Sequence, residues 1–103
     1  MNIVTKENST VNIQRETLTH LAGHLECNLN FRVMYYTEAR TLMVQVWDDN
    51  ARFNEHFMIK VKQTGSYCDD TNRLTQWLIA NIPSASDQES LYYWTTTMLQ
   101  GLH

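Results

Sequence analysis

At 103 residues, with 43% hydrophobic and 18% charged side chains, the chain has the make-up of one globular domain whose core needs no disulfide or metal staple. A formal net charge of −3 argues against a general nucleic-acid or anionic-membrane binder, and it is too small for an acidic mimic of DNA. No stretch approaches the apolar length of a membrane span, and residues 1–8 lack the basic start and apolar centre of a signal peptide, so no membrane association is expected and cytoplasmic residence is the default expectation.

Residues 1–10 are polar and irregular, with Ile3 and Val4 able to add a short strand or a docked tail. The spacing then predicts a first helix, starting between Ser9 and Asn12 and running to about Glu26, because both residues are acceptable caps. Val11, Leu18, Leu21, Ala22 and Leu25 fall on one stripe at helical spacing, the stripe expected to face a sheet. On nearly the opposite side, Glu16, His20, His24 and Cys27 share a second stripe. Two imidazoles and a thiol at one-turn intervals are ligand types for zinc or nickel. No second C-x-x-C or H-E-x-x-H motif completes a set, so the expectation is no metal and no cofactor, with His20, His24 and Cys27 as weak candidates only.

Residues 29–62 hold three apolar-alternating runs, rich in β-branched and aromatic residues. Leu29, Phe31, Val33 and Tyr35 oppose Asn30, Arg32, Met34 and Tyr36; Leu42, Val44 and Val46 oppose Met43, Gln45 and Trp47; Phe57, Ile59 and Val61 oppose His56, Met58, Lys60 and Lys62. Keeping the apolar sets on one face pairs Tyr36 with Thr41, Tyr35 with Leu42, Val33 with Val44 and Phe31 with Val46. The same rule suggests Val46 opposite Phe57, Val44 opposite Ile59 and Leu42 opposite Val61, across a longer loop. The second face then presents Arg32, Met34, Tyr36, Met43, Gln45, Trp47, His56, Met58 and Lys60. Methionine and aromatic residues beside Arg and Lys suit a binding surface, although a layer covered by the protein's own helix has the same composition.

Gly65 marks a turn, after which Asp69, Asp70 and Thr71 make an acidic helix start, favourable against the helix dipole. Leu74, Leu78 and Ile82 form that helix's apolar stripe, with Trp77 at its edge, and Pro83 ends it. Ser86 with Glu89 reads as a capping box for the last helix. That helix carries Leu91, Trp94, Met98 and Leu102 on one stripe flanked by Tyr92 and Leu99, and it ends near Gly101.

Catalytic chemistry finds little support. Cys27 lies near a predicted helix C-terminus, where the dipole opposes a thiolate, and Cys68 is followed by two aspartates that oppose its ionisation. With no C-x-x-C spacing the two cysteines read as reduced, inert thiols. Asp48, Asp49 and Asn50 begin like a calcium loop, but Phe53 and Ile59 stand where Gly and Glu are needed. The helix, three strands, helix order resembles the double-stranded RNA-binding domain in outline, yet Asp69, Asp70 and Thr71 occupy the place of that family's phosphate-gripping basic cluster. The small, motif-poor character also resembles proteins of phage and mobile gene cassettes.

The expected fold is therefore α+β: a helix, a three-stranded antiparallel meander, then two helices packed on the sheet. The expected role is a non-catalytic protein-interaction or regulatory module, self-associating as a homodimer or meeting a heterologous protein partner. A small-ligand or metal-binding protein is the alternative, and a cysteine-dependent enzyme the third.

Overall fold

The computed structural model describes residues 20–62 and 66–102. It has an α+β fold: β1 (His20–His24), β2 (Asn30–Tyr36), β3 (Thr41–Trp47) and β4 (Asn54–Lys60), followed by α1 (Cys68–Asn81) and α2 (Ala85–Gly101). The four strands form one antiparallel sheet in sequential order. None of the described helices is long and apolar enough to cross a membrane.

The strand His20–His24 corrects the predicted first helix, whose earlier residues lie outside the described ones together with the Ile3 and Val4 segment. Leu21 and Leu25 are in register for a helix stripe, but with Gly23 they also alternate as one side of a strand. Gly23 costs a helix about 1 kcal/mol relative to Ala, whereas here its missing side chain admits the Phe31 ring on the neighbouring strand. The chain reverses at residues 25–29, where Leu25 N–H donates to Leu29 O at 2.7 Å and Asn28 takes φ 69°, a conformation asparagine tolerates.

The β2–β3 register is the expected one, with Tyr36 opposite Thr41 and Phe31 opposite Val46. The β3–β4 register differs from expectation by two residues: Val44 faces Phe57 and Leu42 faces Ile59. A shift of two preserves the inward set, so alternation alone does not distinguish the registers. The turn decides. Asp48 Oδ1 accepts the amides of Arg52 at 2.8 Å and Phe53 at 3.2 Å, Asp48 N–H donates to Phe53 O, and Ala51 adopts φ 60°. This asparagine-like wrapping closes the loop earlier than the predicted longer connection.

Both helices pack on one face of the sheet, the side that carries Val33, Val44 and Ile59. Phe31, Val33, Leu42, Val44, Val46 and Ile59 meet Leu74, Leu78 and Ile82 from the first helix segment and Leu91 and Leu99 from the second in one buried core. Trp77 tilts against Phe57 and Trp94 stacks on Phe31, with ring centroids 5.8 and 5.0 Å apart. The buried line of α2 runs through Leu91, Thr95 and Leu99, leaving Trp94, Met98 and Leu102 half-buried beside it.

Helix starts use different devices. α1 has no side-chain cap; Tyr67 precedes it, and Asp70 in its first turn pairs with Lys62 and Arg73 at 3.1 Å each. α2 is capped by Ser84, which accepts from Asp87 N–H, two residues before the predicted Ser86 cap. Ser86 instead donates its hydroxyl to Glu26 Oε1 at 3.0 Å. Asp87 stands at the third helical position and reaches across to the β1–β2 turn.

Candidate interaction surface

Strand alternation brings Arg32, Met34, Tyr36, Met43, Gln45, Trp47, His56, Met58 and Lys60 onto the other face, opposite the helices. Among the described residues, both helices lie on the other side. Antiparallel pairing arranges this helix-free face in cross-strand rows. One row is His24, Asn30, Trp47 and Asn54; the next is Ala22, Arg32, Gln45 and His56; the third is His20, Met34, Met43 and Met58; the last is Tyr36, Thr41 and Lys60.

The two-residue register change matters here. Met43 faces Met58 rather than the predicted Lys60, so three methionines line up across three strands. Met43 is 7% exposed, Met34 half-buried and Met58 48% exposed, while Tyr36 at 41% exposure places its hydroxyl 4.0 Å from Met43 Sδ. An unbranched thioether row of this kind is apolar and conformationally adaptable.

The neighbouring row is polar, with Arg32 tied to Gln45 and Gln45 tied on to Asn54 in the Trp47 row. Arg32 Nε donates to Gln45 Oε1 at 2.8 Å, Gln45 Nε2 donates to Asn54 Oδ1 at 2.8 Å, and the guanidinium sits 5.7 Å from the Trp47 ring centroid. These bonds hold long side chains in fixed positions, reducing the entropy a partner would otherwise have to remove.

Charge is unevenly placed on this face. Arg32 and Lys60 are its permanent cations, and no described strand position on it carries a carboxylate. Beyond the Trp47 end, Asn30 Nδ2 holds Asp49 Oδ1 at 2.7 Å, bringing one carboxylate to the rim. The Asp48 carboxylate is occupied by its own turn. At the far end Lys60 Nζ donates to Ala39 O at 3.2 Å.

The helical stripe of His20, His24 and Cys27 does not form. His20 and His24 lie on one strand four residues apart, about 13 Å along an extended chain, too far to share one metal ion. His24 contacts Asn30 Oδ1 at 3.1 Å. Cys27 instead lies in the turn beside Asp87; burial pushes its thiol pKa up, and the hydrogen bond and negative charge of Asp87 push it further. Among the described residues no group of three or more His, Cys, Asp or Glu side chains gathers as a metal site. Cys68 is exposed.

A separate groove of about 260 Å³ runs between the helices, lined by Thr75, Leu78, Ile79, Gln88, Glu89 and Tyr92. No protein-family model, curated protein or solved structure matches the chain. The edge strand with His20, Ala22 and His24 is the part of the face that sequence patterning missed; Gly23 between period-two Leu21 and Leu25 was its available signal.

Proposed function

We propose that the chain is a non-catalytic protein-interaction module that self-associates as a dimer through the methionine-bearing face of its sheet. The observation that carries this reading is the methionine row. Met58, 48% exposed, adjoins the more buried Met43 and Met34 on a face opposite both described helices. Apolar surface framed by polar side chains is the usual form of a protein contact, and two-fold pairing is the commonest way for identical chains to cover it.

Light scattering coupled to size exclusion tests the proposal on the full chain. A dimer mass is expected at micromolar concentration, shifting to monomer mass in Met58→Glu while the thermal unfolding midpoint stays within a few degrees. Met58 is chosen because its exposure lets the folded monomer tolerate a carboxylate. A wild-type monomer mass that does not change on tenfold concentration defeats the reading.

A further inference from the structure

We infer that mild acid opens this self-association, with His20, His24 and His56 as the groups that sense the pH; this rests on the dimer proposed above and names its regulation. Three of the four histidines of the chain stand on the methionine-bearing face. His20 and His24 lie on the edge strand β1, His56 lies on the opposite edge strand β4, and all three are exposed. They flank the apolar centre that Met34 and Met43 make on β2 and β3. Histidine is the side chain whose charge ordinarily changes between about pH 5 and 8.

Arg32 on β2 and Lys60 on β4 share the face with these imidazoles, and no described strand position on it carries a carboxylate. Glu55 alternates to the helix side, opposite Val46, and Glu26 is held by the Ser86 hydroxyl of α2. At the rims the signs are mixed, with Asp48, Asp49 and Arg52 in the β3–β4 turn and Glu38 and Arg40 in the β2–β3 turn. Asp48 is occupied by its own turn. Asp49 reaches the face through Asn30, whose Oδ1 contacts His24 Nδ1 and whose Nδ2 donates to the carboxylate. That relay is made inside one chain, so it acts on monomer and dimer alike and drops out of their difference.

What distinguishes the dimer is a second copy of the same field. A face-to-face stack lays Arg32, Lys60 and the three imidazoles against another such set, whichever way the second copy is turned about the normal to the sheet. A proton taken up in the dimer then meets cations from both chains and loses water on one side, and both effects disfavour the charged form. In the separated chains the same imidazoles face water. The monomer therefore binds more protons than the dimer as the pH falls through the histidine range, so acid draws the equilibrium toward monomer, while the methionine contacts do not change with pH. The whole chain points the other way. Its net charge of −3 passes through zero as the four histidines protonate, and loss of net charge ordinarily promotes association. A weaker dimer in acid thus belongs to the face and not to the molecule as a whole.

Sedimentation equilibrium of the full chain at low salt provides the test, at about pH 7.5 and about pH 5.5, on either side of the ordinary histidine range, with circular dichroism confirming the fold at both. The dimer dissociation constant should rise about tenfold or more at the lower pH, as small differences add over the three imidazoles of each copy. Sodium chloride at about 0.5 M should recover most of that loss, because it shortens the screening length to about 4 Å. In the triple variant His20→Asn/His24→Asn/His56→Asn the ratio of the two constants should fall below about threefold, whatever its affinity at the higher pH. A wild-type constant that is unchanged or lower in acid overturns the response and leaves self-association through the face intact. So does a rise that persists in the triple variant or is untouched by salt. A wild type that is monomeric at the higher pH removes both inferences.

Discussion

Asp87 and Cys27 meet 60 residues apart in the chain, the carboxylate accepting the Cys27 backbone amide at 2.9 Å on one oxygen and the Glu26 amide at 3.1 Å on the other. The same residue donates its own N–H to the Ser84 cap at 3.3 Å. One buried side chain therefore ties the first hairpin of the sheet to the start of the last helix. The β1–β2 turn needs such a partner because amides at a tight reversal have no ladder acceptor.

Asp87→Ala should cost about 2 to 3 kcal/mol, because two turn amides lose a charged acceptor in a partly buried setting. Asp87→Asn, which keeps an acceptor oxygen for one of the two amides, should cost less. Urea denaturation measures both. Equal stability of Asp87→Ala and wild type would mean that the turn is held by other contacts.

The Cys27 thiol should resist alkylation at neutral pH. Burial and Asp87 raise its pKa above the ordinary thiol value, so its thiolate is scarce at neutral pH, and it is less exposed than Cys68. The consequence for folding has a definite sign. As pH rises through the ordinary thiol range, the unfolded chain releases the Cys27 proton before the folded chain does, and stability falls. Chemical denaturation should show an alkaline decline that is smaller in Cys27→Ser. Iodoacetamide labelling should modify Cys68 first; faster labelling at Cys27 contradicts the assignment.

Thr95 is fully buried among the core-facing residues of α2, and its hydroxyl has no hydrogen-bond partner. Threonine in a helix often bonds the carbonyl four residues back, as Thr75 does to Thr71 and Thr96 to Tyr92. Thr95 does not. Thr95→Val replaces the hydroxyl with a methyl of similar volume and should stabilise the protein by about 1 kcal/mol. A thermal melt is sufficient, and a lowered midpoint would show that the hydroxyl has a partner in solution.

Sequence patterning reads strands well where each residue has one plausible face. Val33, Val44 and Ile59 have no comfortable place except the core, so β2, β3, β4 and the methionine-bearing surface follow from alternation. It reads register poorly, because pairing Val44 with Ile59 or with Phe57 keeps the same apolar set inward. Only the Asp48 turn, a matter of two backbone amides donating to one carboxylate oxygen, selects between them. The alignment of Met58 with Met43 was hidden for that reason. The caps show the same limit: Ser84 and Ser86 are both capping residues, and Asp87 favours Ser84 through contacts with a turn distant in sequence. Likewise the stripe from Leu18 to Leu25 fits helical spacing, while its strand alternative depends on a partner, Phe31, that local spacing cannot include.

Gly23 turns that last ambiguity into an experiment. If residues 20–24 belonged to a helix, Gly23→Ala would reduce the conformational entropy lost on folding and stabilise the protein by about 1 kcal/mol. In β1 the outcome reverses. A methyl group at Gly23 lies 3.0 Å from Phe31 Cε1 and 3.3 Å from Cζ, closer than carbon atoms comfortably approach. Phe31 has little room to yield, because it is 2% exposed and its opposite environment includes the Trp94 ring, stacked 5.0 Å away with a 15° angle between planes. Relief must therefore come from moving the aromatic pair or from parting the edge strand. Gly23→Ala is expected to destabilise by about 1 to 2 kcal/mol, and Gly23→Val by more despite its better strand propensity. Equilibrium denaturation followed by tryptophan fluorescence reads both the free energy and the disturbed Trp94 environment. A stabilised Gly23→Ala would restore the helical assignment and remove β1, with His20 and His24, from the sheet.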